Sequence, residues 1–138
     1  MRLRSGMLAD AATVLGGKIY VFGGQWDRMF ANSFPTTHPS LAVVLVIEVD
    51  YNEALEDHGF LVYLERDGET IGPRIEGSLN VGHPPTTKRG ASAFVPLALT
   101  FNMVKFEDPG RYEFVVELDG NPVERIPLEL TTQRHIQS

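Results

Sequence analysis

The sequence predicts an all-β fold, and three observations predict it. The first is alternation. Tyr112, Phe114, Val116 and Leu118 alternate with Arg111, Glu113 and Glu117, and Ile126, Leu128 and Leu130 repeat the pattern, as in strands with one wet face. The second is punctuation. Pro109-Gly110 opens the first of these runs and Asp119-Gly120 closes it, an Asp-Gly pair between apolar runs being a hairpin signal. Similar turn signals recur along the chain at the roughly 8–12-residue spacing of a sandwich or barrel. The third is the lack of any strand–helix alternation, which a parallel α/β sheet requires. Tyr112, just inside a late strand behind Gly110, sits where a tyrosine corner sits in immunoglobulin-like sandwiches, its hydroxyl bonding backbone a few residues upstream. Phe106 or Glu107 is the expected acceptor. The predicted architecture is therefore a single antiparallel, immunoglobulin-like β-sandwich of about seven to nine strands with at most one short helical turn.

The elements follow in order. Leu8–Val14 reads as a strand with Asp10 as an odd intruder, and Gly16-Gly17 as a turn. Lys18–Phe22 is β-branched and aromatic, a second strand. Gly23-Gly24 interrupts it, and Trp26–Phe30 continues it beyond a bulge. Asn32–Ser40 is a loop holding Pro35 and Pro39. Leu41–Val49 is nearly all apolar, as expected of a central strand covered on both faces. Tyr51–Asp57 reads as one helical turn capped by Asp50 or Asn52. Phe60, Val62 and Leu64 alternate before the Asp67-Gly68 turn. Thr70–Val81 is a weaker strand broken at Gly72-Pro73, and Gly82–Gly90 is a loop. Ala91–Phe101 is a long strand bent at Pro96, and the final hairpin follows. The expected core is Ile19, Val21, Val43, Leu45, Ile47, Phe60, Val62, Leu64, Val95, Leu97, Leu99, Phe114, Val116, Leu118, Ile126 and Leu128.

The 138 residues suit one domain, residues 1–138, with a frayed tail over about 132–138. A chain of this size needs no staple for stability. Its 43% hydrophobic and 22% charged content is ordinary for a soluble globular protein. A net charge of -6 argues against a broad nucleic-acid surface. The chain has no cysteine, which excludes disulfides, thiolate zinc sites and a Cys nucleophile, and fits the cytoplasm. Arg2 and Arg4 imitate the charged start of a signal peptide, but Asp10 interrupts the apolar run Met7–Leu15. The longest wholly apolar run, Leu41–Ile47, is far below the ~20 residues of a membrane-spanning helix.

No cofactor motif emerges, and no catalytic residue is assigned. His38, His58, His83 and His135 show no i, i+2 or i, i+4 pairing. His38 and His83 both stand in proline-containing stretches, so they could meet at one end of a sandwich, although exposed loop histidines are the commoner case. Asp10 inside an apolar strand faces solvent or pairs with an Arg such as Arg28 or Arg74. Glu53, Glu56 and Asp57 lack the alternating ligands and glycine of a calcium loop. Trp26 and Arg28 are residue types common at binding hot spots, although a lone sandwich Trp is more often core. Lys88-Arg89 is a candidate phosphate contact on a long loop. Binding candidates are thus Trp26, Arg28, His38, His83, Lys88 and Arg89, with Tyr112, Gly110 and Asp10 as structural residues; no metal site is assigned.

Gly16-Gly17-Lys18-Ile19-Tyr20-Val21-Phe22-Gly23-Gly24 is similar to the core of one kelch repeat, but a propeller needs at least about four such blades and the signature occurs once. A broader resemblance rests on Leu8–Val14, on Gly17–Gly24 with Trp26, and on Glu48-Val49-Asp50-Tyr51-Asn52-Glu53-Ala54. Asp67-Gly68, Gly82-His83-Pro84-Pro85 and Pro109–Phe114 continue it. In order along nearly the whole chain, these blocks resemble an uncharacterised bacterial family with a predicted immunoglobulin-like β-sandwich. Asp50-Tyr51-Asn52 departs from the Pro-Trp-Thr-like run expected there. The resemblance implies fold and bacterial origin and transfers no catalytic residue. The favoured functional reading is a non-enzymatic soluble binding or assembly module with a protein partner or self-association, and neither nucleic acid nor membrane. The alternative is a small enzyme or metal-binding protein with its site at the loop end carrying His38 and His83.

Overall fold

A computed structural model describes residues 1–132. They form nine strands in two sheets that face each other as a sandwich. The strands are β1 (Arg2–Leu15), β2 (Lys18–Gly24), β3 (Arg28–Ala31), β4 (Thr36–Val49), β5 (His58–Arg66), β6 (Glu69–Leu79), β7 (Ala93–Phe106), β8 (Gly110–Leu118) and β9 (Asn121–Thr132). The helical turn shrinks to a 3₁₀ turn, Tyr51–Glu53. One sheet runs β2-β1-β4-β7 and the other β3-β9-β8-β5-β6. Every pairing is antiparallel except β3 against β9, which is parallel. The tail expected to fray begins inside β9, which ends at Thr132; residues 133–138, with His135, lie outside the described residues.

The core forms between the sheets. Leu41, Val43, Leu45, Ile47 and Val49 alternate inward from β4, and Phe114, Val116 and Leu118 meet them from β8. Phe101 and Phe114 join the sheets through tilted rings 5.1 Å apart. Ten of the expected core residues are buried; Val95, Leu97 and Leu99 are only half-buried on the edge strand β7, and Phe60 is half-buried with its ring over Gly77 of β6.

Ile19 and Val21 are corrected more sharply. They belong to a second apolar cluster, with Met7 and Ala12, that covers Ala9, Ala42 and Val44 on the outer face of the first sheet. β1 leaves β4 after Ala9 and pairs only with β2 from there on. The hairpin of residues 10–24 folds back over β4: Ile19 and Val21 share a groove with Val44 and Val46, and Ala12–Val14 face Pro96–Thr100 of β7. That cover explains why β4 is apolar on both faces, since Ala42 and Val44 are as buried as the inward residues.

Three other expectations change. Trp26–Phe30 does not continue β2. Gly23 and Gln25 both take left-handed backbone, at φ 61° and 64°, and they turn the chain out of the first sheet, so that β3 joins the second sheet beside β9. The run Asn32–Ser40 is a loop only in its first half; Thr36–Ser40, with His38, already belongs to β4. β7 continues through Pro96, opposite Val46, and on to Phe106. An edge strand tolerates the missing donor. The break in β7 falls at Met103 (φ 53°), where the inward set changes from Leu97, Leu99 and Phe101 to Val104 and Phe106. The expected irregularity at Gly72-Pro73 is present as a register shift between β5 and β6.

Candidate functional site

The sequence-derived candidates do not converge. His38 lies near the start of β4, paired with Val104. His83 lies beyond the other end of β4, its ring stacked on Tyr51 at 3.9 Å and its Nε2 2.8 Å from the Tyr51 carbonyl. At ~3.3 Å per residue, the strand between them holds the two rings roughly 35 Å apart. The loop-end site that would have used both is therefore corrected: β4 is a long strand, and its two ends are opposite ends of the sandwich. Among the described residues, no group of three or more His, Asp or Glu is placed to hold a metal ion.

Trp26 is half-buried against the main core, and its indole N–H donates to the Gly23 carbonyl at 2.8 Å. It fastens the crossing between sheets. Arg28 is exposed and pairs at 3.5 Å with Glu129, its register partner on β9, so it does not pair with Asp10. Asp10 is exposed, and its carboxylate occupies the space a side chain on Gly23 would need. Lys88 and Arg89 are exposed in the turn closed by the Ala91 amide on the Lys88 carbonyl, 3.0 Å.

Two polar clusters are structural. Tyr112 is buried, and its hydroxyl donates to the Asp108 carbonyl at 2.6 Å, closing a tyrosine corner. The acceptor is Asp108, one residue nearer than expected. Arg66 completes the corner. Its guanidinium donates to the Tyr112 hydroxyl (2.7 Å) and to the Asp108 and Pro109 carbonyls (each 3.0 Å), and lies 4.8 Å from the Tyr112 ring centre. Gly110, at φ 138°, leaves the space it needs; a Cβ there would stand 2.8 Å from Arg66 Nη2.

The second cluster is centred on His58, which nothing in the sequence singles out among four histidines. The ring is only 4% exposed. Nδ1 lies 2.9 Å from Asp119 Oδ2 and Nε2 lies 2.8 Å from the Glu53 carbonyl. Both nitrogens face acceptors, so both must be donors, and only the imidazolium provides two. The Glu53 carbonyl foremost, then Asp119, pushes the His58 pKa up, while burial opposes it. The same contact holds the Asp119 carboxyl below its usual range. Asp119 also accepts the Gly59 amide at 3.0 Å. The Asp119-Gly120 turn was legible in the sequence, but Asp67-Gly68 carries the same signal with an exposed carboxylate, so nothing local to the chain singles out the His58–Asp119 pair.

One apolar surface is not accounted for by packing. The hairpin presents two faces. Ala12, Val14, Ile19 and Val21 point toward the sheet beneath, while Ala11, Thr13, Leu15, Lys18, Tyr20 and Phe22 point to solvent. On that outer face Leu15, Tyr20 and Phe22 are 69%, 45% and 65% exposed. Tyr20 is paired with Thr13 and Phe22 with Ala11, so only small side chains flank the rings. Scattered exposed apolar residues are normal; neighbouring ones on a strand pair form a patch. Among the described residues, no helix is long and apolar enough to cross a membrane. Compared with family models, residues 4–131 match one described as a family of unknown function, DUF6941. No curated protein matches the chain.

Proposed function

The chain belongs to the DUF6941 family, whose function is unknown, and we propose that it is a non-enzymatic binding or assembly module whose contact surface is the outer face of the β1–β2 hairpin. The observation that supports this reading is the exposure of Leu15, Tyr20 and Phe22 together on a hairpin that already spends its other face covering the sheet. An aromatic pair two residues apart on a strand offers large, rigid contact area at low entropic cost. The turned chain at Gly23–Gln25 and the Trp26 anchor hold that hairpin in place. A bacterial, cytoplasmic setting belongs to the same reading and rests on the family resemblance and the cysteine-free composition. The separation of His38 from His83 removes the geometry on which an enzymatic reading stood.

The test is a paired affinity purification from the native host, with the wild-type chain and a Tyr20→Ser/Phe22→Ser variant as baits. Both positions are solvent-facing, so the variant keeps the core. A protein retained by the wild type and lost by the variant supports the reading; equal retention by both overturns it.

A further inference from the structure

We infer that β2 is a self-complementary edge through which two copies of this chain pair antiparallel, an inference that rests on the hairpin-face reading above and names the partner. Among the described residues the sandwich has four sheet edges: β2, β7, β3 and β6. Native edges are blunted by proline, charge, bulges or shortness, because an open edge offers unpaired backbone to any other strand. Three of the four follow that rule. β7 carries Pro96, the irregularity at Met103 and Lys105. β6 carries the Gly72-Pro73 register shift with Glu69, Arg74 and Glu76. β3 is four residues long and begins with the Arg28–Glu129 ion pair. β2 carries such devices only at its ends, Lys18 at the start and the left-handed Gly23 near the finish. Between them it reads Ile-Tyr-Val-Phe, with neither charge nor proline, and among the described residues it pairs on one side only, with β1.

The side chains favour a second copy over an unrelated strand. A two-fold axis perpendicular to an antiparallel pair keeps each copy's faces on the same side. Centred on Val21, it sets Tyr20 of each copy opposite Phe22 of the other, twice, on the outer face. Aromatic pairs directly across strands are among the favourable ones. The exposed parts of Tyr20 and Phe22 amount to about 220 Å² per copy, taking ~200 Å² for a whole aromatic side chain. Both copies together offer at most about 440 Å² of that aromatic surface besides the backbone edges, well below the roughly 1,200–2,000 Å² of a stable complex. The dimer is therefore weak and concentration-dependent. Each copy carries a net charge of -6, and the uncharged edge is where two copies meet with least repulsion. Screening should then strengthen the association.

The experiment is sedimentation velocity on the full chain from micromolar to millimolar concentration, at low and high salt. Average mass should rise toward twice the monomer, more so in high salt. Phe22→Lys should return it to monomer, although this change lowers the net repulsion between copies; circular dichroism confirms that the variant is folded. Register is read by cysteine scanning in this cysteine-free chain. Val21→Cys stands opposite itself at about 4.5–5.5 Å between Cα atoms, inside the roughly 4.4–6.8 Å range of a disulfide, and should oxidise to a dimer. Tyr20→Cys and Phe22→Cys should crosslink to each other in a mixture and not each to itself. A chain that stays monomeric, a dimer that Phe22→Lys leaves intact, or self-crosslinking through position 22 overturns the self-pairing. Retention of another protein by the wild type, lost in Tyr20→Ser/Phe22→Ser, would leave the hairpin-face reading standing in each of those cases.

Discussion

Replacing His58 with Phe tests the buried imidazolium contact between β5 and the turn after β8. Phe keeps the ring volume in a 4%-exposed site and removes both donors. Two hydrogen bonds are lost, one to the Glu53 carbonyl and one to the Asp119 carboxylate. Bonds from a charged donor contribute about 1.5–3 kcal/mol each. Asp119 is 45% exposed and water can replace its partner, so its bond belongs at or below the low end. The expected loss is about 3 kcal/mol, a fall in Tm of roughly 10 °C for a domain of this size. The pH dependence carries the sign. The His58 pKa is raised in the folded state, so its stabilisation is complete below about pH 6.5, the unfolded value, and is lost as pH rises through the folded value. Asp119 is lowered, so its share is present above about pH 3.9 and is lost as pH falls through its folded value. The two shifts report one contact and are counted once. Urea unfolding of wild type and variant across pH 4 to 9 measures the difference, which should be largest between those limits and shrink toward alkaline pH. A loss below ~1 kcal/mol, or a difference that grows toward pH 9, would refute the imidazolium assignment.

Tyr112→Phe removes one hydroxyl that both donates to Asp108 and accepts from Arg66; denaturant unfolding should show a loss of about 1.5–2.5 kcal/mol, and equal stability would mean the corner adds nothing. Gly110→Ala sets a Cβ against Arg66 at φ 138° and should cost about 2 kcal/mol; a cost under ~0.5 kcal/mol would mean Arg66 moves freely. A metal shared by His38 and His83, at a hundred times its dissociation constant, would add about 2.7 kcal/mol. With the rings at opposite ends of β4, zinc or nickel should leave Tm essentially unchanged, and a rise abolished by His38→Ala/His83→Ala would refute the separation.

The sequence by itself determined where most strands run and how their side chains alternate. Alternation in Tyr112–Leu118 and in Ile126–Leu130 marks inward and outward positions because successive side chains point to opposite faces, and Asp-Gly pairs mark turns because few residues accept left-handed backbone. Tyr112 was legible as a corner for the same local reason. What only tertiary structure decided is where covered faces find their covers. Ile19 and Val21 alternate like core residues, yet their partners are Ala42 and Val44 on the outside of the sheet, because β1 leaves β4 after Ala9. Trp26–Phe30 reads as an extension of β2, yet the turn at Gly23 and Gln25 carries it to the other sheet. His58 and Asp119, sixty-one positions apart, meet because β5 and β8 are neighbours. So does Arg66 with the Tyr112 corner. Periodicity records which way a side chain points, whereas a contact between distant residues depends on strand order, and strand order is fixed by how two sheets bury their apolar faces together.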